Sequence, residues 1–258
     1  MNNIFELIDQ TTVSGQACVL VTVVEISGAA PGKVSFKMLV LPDGKTYGTI
    51  GGGSLEARSI QDALAVFQSQ KSELKRYDLE SIGMTCGGSS TLFFDYFPAR
   101  RTLLIFGGGH CGQALYKVAP QIGFHVRVFD NRPELRSQFV AGDLNLCDLE
   151  NLPIDSFPES NLFAAIMTYN HQFDYTVLRQ LLTCGKSFEY IGLIGSINKV
   201  KETKKRLADE KIAIPDYFYS PIGLNIGAQT PAEIAVAILG EMVGVINKTE
   251  TDSLRKKV

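Results

Sequence analysis

The sequence predicts an α/β protein: a C-terminal Rossmann-like parallel sheet with helices on both faces, preceded by a smaller N-terminal α/β domain. First, an apolar run leads into a glycine turn and a helical pattern, and Gly107, Gly109 and Gly112 match G-x-G-x-x-G. Second, Asp130 ends the next apolar run, eighteen residues after Gly112. Third, strand and helix patterns alternate through the second half of the chain, which is typical of a parallel sheet.

Length and composition limit the class of protein. The chain has 258 residues, which allows two modest domains, and it is 45% hydrophobic and 20% charged, as in soluble globular proteins. Its net charge of -2 gives no basic field for nucleic acid or an anionic membrane. No apolar stretch is long enough to cross a bilayer, and residues 1–10 lack the basic side chains of a signal peptide. We therefore expect a cytoplasmic protein that binds neither nucleic acid nor membranes.

The cysteines argue against a disulfide framework and against a structural zinc site. They are odd in number, widely spaced and without a C-x-x-C pair: Cys18, Cys86, Cys111, Cys147 and Cys184. Any functional cysteine would therefore act alone, as a thiolate. Cys111 opens a predicted helix, which would lower its pKa, but packing beneath the turn is the favoured interpretation.

The N-terminal domain, residues 1–98, is predicted from five runs with strand character and two helical patterns. The strands are 17–26, 36–41, 46–50, 74–79 and 91–97, and the helices are 3–9 and 55–68. Asp43 and Gly44 form the turn of a hairpin. Residues 98–100 mark the domain junction.

The C-terminal domain, residues 99–258, has the βαβ alternation. The predicted strands are 102–106, 126–130, 162–168 and 190–194, and the predicted helices are 112–123, 133–139, 174–183, 198–210 and 231–246. The last helix has Thr230 as its N-cap, Pro231 at its first position and Glu233 at its third. The charged run from Lys199 to Arg206 is interpreted as a solvated helix face.

A ligand crevice is expected at the carboxyl ends of the parallel strands, at the switch point of the sheet. Glycine or polar residues follow four predicted strands there: 107–110, Asp130, 169–171 and 195–196. Packing alone does not explain four such strand ends, and Asp130 lies where an acidic residue would meet a ribose hydroxyl. His110 and His171 are interpreted as contacts to a ligand, with a metal site near Asp174 as the less favoured alternative.

Two glycine-rich loops in the first domain are further candidates. Gly51-Gly52-Gly53-Ser54 precedes a predicted helix, where free N–H groups and the helix dipole favour an anion such as phosphate. The alternative is that Ser54 is simply an N-cap. Cys86 lies in the loop 83–88, where glycines would leave its sulfur open to a metal or to sulfur transfer. The alternative is that Cys86 is a small buried hydrophobic side chain.

The ordered motifs resemble those of the xanthine dehydrogenase accessory family, often called XdhC/CoxI, over nearly the whole chain. They are Pro31-Gly32 with K-M-L-V (37–40), G-T-I-G-G-G-S-L-E (48–56), G-M-T-C-G-G (83–88), G-G-G-H-C-G-Q-A-L (107–115), D-N-R (130–132), M-T-Y-N-H-Q-F-D (167–174), Y-I-G-L-I-G-S (190–196) and P-I-G-L-N-I-G-A-Q-T-P-A-E-I-A (221–235).

This resemblance implies a maturation role rather than turnover of a metabolite. Such proteins bind the molybdenum cofactor, as molybdopterin or its dinucleotide form, while a cysteine desulfurase supplies the sulfido ligand. They then help to insert it into a molybdenum hydroxylase apo-enzyme, and a homodimer is expected. The implied cofactor-binding residues are Gly51, Gly52, Gly53, Ser54, Cys86, Gly87, Gly107, Gly109, His110, Gly112, Asp130 and His171, with Cys86 as molybdenum ligand or sulfur relay.

Three positions depart from the family pattern. Ser54 stands where a cysteine commonly follows the triple glycine, Tyr169 replaces one of two histidines, and Ile197 replaces an arginine. Cofactor handling would therefore rest on Cys86. One alternative function is an NAD(P)-dependent oxidoreductase that uses residues 107–112 and Asp130, with His171 or Tyr169 as proton donor. Another is a docking scaffold without a small-molecule ligand.

Overall fold

A computed structural model describes residues 3–83 and 87–249. The chain divides into two compact units, Met1–Arg100 (unit 1) and Arg101–Val258 (unit 2). Within the described ranges, no helix combines the length and the apolar character needed to span a membrane.

Unit 1 is an antiparallel sheet with a helix on each face. Its helices are α1 (Ile4–Val13) and α2 (Gly53–Ser69), and its strands are β1 (Cys18–Ser27), β2 (Lys37–Val40), β3 (Thr46–Gly48), β4 (Glu73–Asp78) and β5 (Ser89–Phe97), in the order β3-β2-β1-β5-β4. Alternate side chains of β1 point to opposite faces, so Val19 and Val21 pack beneath α2. Cys18 and Leu20 pack beneath Ile8 of α1. The described part of unit 1 contains every helix and strand predicted for it.

Unit 2 is a six-stranded parallel sheet in the order β8-β7-β6-β9-β10-β11. Its strands are β6 (Arg101–Phe106), β7 (Phe124–Asp130), β8 (Leu144–Leu146), β9 (Leu162–Ile166), β10 (Phe188–Leu193) and β11 (Phe218–Tyr219); its helices are α3 (His110–Val118), α4 (His171–Thr183), α5 (Ile197–Asp209) and α6 (Pro231–Asn247). Numbered from β6, this is the 3-2-1-4-5-6 order of the Rossmann fold, so the switch point lies between β6 and β9.

Helices cover both faces of this sheet, as predicted. Leu103 and Ile105 of β6 pack with α3 and α6, whereas Leu104 and Phe106 pack with α4 and α5. The predicted start of α6 is confirmed: Thr230 and Glu233 form a reciprocal capping box, and Pro231 occupies the first helical position.

Two strands of unit 2 were not predicted, and two helical segments are of a different type than expected. The edge strands β8 and β11 have three and two residues, too short to show an alternating pattern. The predicted helix at 133–139 is a 3-10 helix, Pro133–Gln138. The second half of the predicted helix at 112–123 is also 3-10, Ala119–Ile122, because Pro120 lacks the N–H that an α-helix needs.

The chain folds tightly around the turn after β6. A Cβ on Gly107 would overlap the carbonyl oxygen of Met167, and a Cβ on Gly112 would overlap the carbonyl oxygen of Gly107. The first and third glycines of the fingerprint are therefore required by backbone packing within unit 2.

Gly112→Ala should destabilise unit 2 by roughly 1–3 kcal/mol, as overpacking commonly does. Gly109→Ala is the matched control in the same turn, because Gly109 has a φ of -70° and its added Cβ would meet only the Arg132 Nη2, at 4.0 Å. Calorimetric melting should show a clearly lower midpoint for Gly112→Ala alone. Equal midpoints for the two variants would contradict the packing account.

Candidate functional site

The switch point of unit 2 brings the predicted glycine turn and Asp130 together. The Gly107 N–H donates to the Phe129 carbonyl at 2.9 Å, and the Met167 N–H donates to the Phe106 carbonyl at 2.8 Å. The Gly108 N–H then donates to the Asp130 carboxylate at 2.7 Å. The loops that follow β6, β7 and β9 are thus joined at one edge of the sheet.

Gly109 is the fingerprint position that the fold itself leaves open. It is the N-cap of α3, and no side chain of the described residues caps this helix. The first N–H groups of a helix have no intrahelical acceptor, and the helix dipole adds positive potential there. A phosphate could therefore approach the backbone at Gly109, and nucleotide binding by this turn stays a prediction.

Asp130 does not have the free carboxylate that the ribose contact requires. Its side chain is fully buried. It accepts hydrogen bonds from the Gly108 N–H and from three donors of Arg132: its backbone N–H at 3.0 Å, Nε at 2.9 Å and Nη2 at 2.8 Å. A carboxylate has about four acceptor positions, so the chain fills them all. The predicted contact between Asp130 and a ribose hydroxyl stays a prediction, and this geometry does not favour it.

Arg132 belongs to the D-N-R motif, for which the sequence alone predicts no role of the arginine. Its guanidinium lies over the Tyr169 ring, with Cζ 4.5 Å from the ring centroid. Asn131 Nδ2 donates to the Tyr169 hydroxyl at 3.2 Å. These contacts link the loops after β7 and β9 beside the glycine turn. The motif indicated that these residues matter, but only the fold brings Tyr169 to Arg132.

His110 and His171 begin α3 and α4, which cover opposite faces of the sheet. His110 lines a pocket of about 450 Å³ with Lys117 and Thr230, and His171 lines a different pocket of about 480 Å³ with Lys199 and Arg206. Residues 3–83 and 87–249 contain no group of three or more His, Cys, Asp or Glu side chains placed to hold a metal. The geometry gives the alternative of a two-histidine metal site no support.

The charged run from Lys199 to Arg206 is a solvated helix face as predicted, with the exception of Lys199. The Lys199 Nζ donates to the Asp174 carboxylate and to the Ile194 carbonyl, and its side chain is only 14% exposed. Asp174 also accepts from the Thr168 N–H and hydroxyl, at 2.8 and 2.7 Å. This buried network joins the loops after β9 and β10. Asp174 and Lys199 therefore hold the backbone of these two loops in place.

In unit 1, the predicted Gly51–Ser54 loop begins α2 as expected, but Ser54 is not its N-cap. The N-cap is Gly52, and Ser54 lies within the first helical turn. Gly52 and Gly53 have φ of 85° and 62°, which favours glycine, and added Cβ atoms there would meet nothing within 4 Å. The loop is therefore open on its outer side.

The inner side of this loop already holds a carboxylate. Glu56 Oε1 accepts from the Thr49 hydroxyl, the Ile50 N–H and the Gly52 N–H. Burial raises the pKa of Glu56, but these hydrogen bonds and one from the Gly51 N–H outweigh it, so the pKa lies below its usual value. Glu56 was not predicted from the sequence, although an acidic residue in the first turn of a helix is a recognisable signal.

The glycine loops of unit 1 lie together. An added Cβ on Gly32 would be 2.5 Å from the Ile50 carbonyl oxygen, and one on Gly88 would be 2.5 Å from the Ala29 carbonyl oxygen. The loop that contains Pro31 and Gly32 thus touches both the triple glycine and the segment 87–88. Cys86, the predicted functional thiol, lies outside the described residues.

Three of the other cysteines, Cys18, Cys111 and Cys147, are buried or partly buried, as their predicted packing role requires. Burial raises the pKa of Cys18 to about 11, and burial with the charges of Asp148 and Asp130 raises that of Cys147 to about 11. Burial also raises the pKa of Cys111, in keeping with the interpretation that it packs beneath the turn. These three thiols stay protonated at neutral pH. A protonated thiol is a poor nucleophile and a poor metal ligand.

Glu56→Gln should destabilise unit 1 by about 1 kcal/mol at pH 7, because the amide keeps the acceptor but loses the charge. The folded-state pKa of Glu56 is lowered, so this stability is present above the unfolded-state pKa of about 4.3 and is lost as the pH falls through the folded-state pKa. Melting midpoints at pH 7 and at about pH 3 measure the difference. Glu6→Gln, in the exposed first turn of α1, is the control; a difference that does not change with pH would contradict the role of Glu56.

The fold and sequence have known counterparts. A crystal structure of a protein described as a xanthine dehydrogenase, from Bacillus halodurans, has the same fold, with a TM-score of 0.52 at 23% identity over 95% of this chain and 96% of that chain. Among curated proteins, the chain is 31% identical over 238 residues to the uncharacterized protein YqeB of Escherichia coli K12, covering 87% of this chain and 43% of that protein.

Two further relatives have descriptive names. The chain is 32% identical over 164 residues to a probable xanthine dehydrogenase subunit of Bacillus subtilis 168, covering 60% of this chain and 46% of that protein. It is 34% identical over 99 residues to the molybdenum cofactor insertion chaperone PaoD of Escherichia coli K12, covering 37% of this chain and 31% of that protein. The matches span less than half the length of each curated relative.

Family models match both units. Residues 12–78 match the model of the XdhC and CoxI family, and residues 103–242, more than half of the chain, match that of the XdhC Rossmann domain. The first match contains the triple glycine, and the second contains the glycine turn, Asp130 and Arg132. The chain therefore belongs to the XdhC and CoxI family.

Proposed function

We propose that this chain is a maturation factor that binds the molybdenum cofactor and helps to insert it into a molybdenum hydroxylase. The observation that carries the proposal is the open N-terminus of α2, where Gly52 and Gly53 leave free space beside the other glycine loops of unit 1. The likeness to PaoD, whose name describes cofactor insertion, supports it.

The donors of this loop suit a phosphate group. The N–H groups of Gly53 and Ser54 belong to the first turn of α2, where a helix offers no acceptor of its own. Glu56 holds the inner side of the loop in place, so a ligand phosphate would meet a preformed set of donors on the outer side. Both molybdopterin and its dinucleotide form carry phosphate, so either would fit.

Cys86 supplies the second part of the proposal, as thiolate ligand to molybdenum or as sulfur relay. A thiolate is a soft ligand that suits molybdenum. Burial raises the pKa of Cys18, Cys111 and Cys147, so these three are poor candidates for the thiolate. As a relay, the Cys86 thiolate would take the terminal sulfur of a cysteine desulfurase persulfide, and the desulfurase would leave as its thiolate. The bound cofactor would supply redox chemistry to the client enzyme.

The proposed partners follow from this role. They are a molybdenum hydroxylase apo-enzyme, a cysteine desulfurase and a second copy of the chain, in the cytoplasm. An NAD-dependent oxidoreductase is not proposed, because Asp130 has no acceptor left for the ribose hydroxyls of NAD.

Cys86→Ser should lower molybdenum retention by at least about tenfold, because even loss of an outer-shell partner costs this much at a metal site. The protein is coexpressed anaerobically with the cofactor pathway and purified without oxygen. Molybdenum is then measured by elemental mass spectrometry, and pterin by fluorescence after oxidation. Cys184→Ser, a half-buried thiol of unit 2, is the control. Equal retention in Cys86→Ser and wild type would remove the role of Cys86.

Ser54→Asp should lower pterin retention by at least about tenfold, equivalent to about 1.4 kcal/mol of repulsion between its carboxylate and the cofactor phosphate. The fold should be retained, because an acidic residue in the first turn of a helix is favourable. Ser54→Asn has the same shape without the charge and should behave like wild type. If the Asp variant keeps its pterin at an unchanged melting midpoint, the phosphate does not bind at α2.

A further inference from the structure

Arg132 borders the one open position of the glycine turn in unit 2. Its Nη2 is 4.0 Å from the place where a Cβ on Gly109 would lie, and no other described atom beyond the chain neighbours is within 4 Å of that place. A group bound on the turn would therefore meet the guanidinium of Arg132.

The guanidinium is held in position and still has donors to give. It has five N–H donors, of which one on Nε and one on Nη2 bond to Asp130, so three have no acceptor among residues 3–83 and 87–249. Stacking on Tyr169 and the two bonds to Asp130 fix its plane. The hydrogen bond to Asp130 raises the pKa of Arg132 further, so the group keeps its charge. A prepositioned fork of this kind loses little entropy when it binds an oxyanion.

Asp130 differs in what it can offer. In a dinucleotide site this acidic residue accepts hydrogen bonds from the hydroxyls of a ribose. Here its four acceptor positions are filled by Gly108 and Arg132. An unmodified ribose diol thus finds no acceptor, whereas a phosphate brings only acceptors, which match the three free donors of Arg132 and the N-terminus of α3.

We infer that the Rossmann turn of unit 2 binds its ligand through a phosphate monoester held by Arg132, and selects against the same ligand without that phosphate. The ion pair with Arg132 offsets the charge of Asp130, so the phosphate meets a neutral pair and the positive end of α3. Such a phosphate occurs on the 2′-position of a nucleotide or on a pterin side chain. The site concerns unit 2 alone and does not depend on the roles proposed for Cys86 and α2.

Calorimetric titration of the full-length protein with matched ligand pairs tests this inference. One pair is ADP-ribose and its 2′-phosphate; the other is hydroxymethylpterin and its phosphate monoester. We expect the phosphorylated member of at least one pair to bind at least about tenfold more tightly, as one charge-assisted contact provides. The pair that responds identifies the source of the phosphate. Equal affinities within both pairs, or no binding by any of the four ligands, would overturn the inference.

Arg132→Lys should remove most of this preference, because lysine keeps the charge but loses the planar fork. We choose lysine over alanine because an unpaired Asp130 would be a buried charge. Arg136→Lys, an exposed arginine of the same 3-10 segment, is the control and should bind like wild type. Full preference in a folded Arg132→Lys variant would contradict the role of Arg132. A protein that retains molybdopterin through Cys86 but shows no phosphate preference would overturn this inference alone.

Discussion

The hydrogen bonds of the buried Asp130 carboxylate hold together the carboxyl-end edge of the sheet in unit 2, where the candidate ligand site lies. An isolated ion in a protein interior costs several kcal/mol, so Asp130 is tolerated there only with a full set of donors. Burial raises its pKa, but the hydrogen bonds from Arg132 and Gly108 outweigh that effect, and the pKa is lowered. One charge thus fixes the glycine turn and the direction of Arg132 together, and these decide which chemical groups the edge can receive.

In unit 1, too, an acidic side chain accepts backbone N–H groups of a glycine loop. Glu56 turns back to accept N–H groups of the triple-glycine loop, as Asp130 accepts the N–H of Gly108. In both places an acidic side chain of the chain itself holds the inner side of a glycine loop, and the outer side stays open. Each loop therefore has a fixed shape before a ligand arrives, which reduces the entropy that binding would cost.

The sequence was sufficient for the fold class and the longer elements, but not for the short edge strands β8 and β11 or for the contacts within the site. The longer strands and helices, the fingerprint glycines and the cap at Thr230 each have a local signature that predicts them. The hydrogen bonds of Asp130 form because the side chain of Arg132, two residues later, turns back toward it. Lys199 points inward, but in the sequence it cannot be distinguished from the other charged residues of its run. A charged side chain can point into solvent or toward a buried partner. Which of the two occurs depends on tertiary packing, so a local sequence pattern does not predict it.

The path of Lys199 also constrains how this edge can change. Its methylene groups run over Gly195, where an added Cβ would lie 2.7 Å from the Lys199 Cδ, before its ammonium reaches Asp174. A larger residue at 195 would displace the lysine and leave the buried Asp174 carboxylate without its lysine partner. We therefore expect positions 174, 195 and 199 to vary together among relatives. A relative that replaces one of these residues should replace the other two as well, although 174 and 199 lie on different helices.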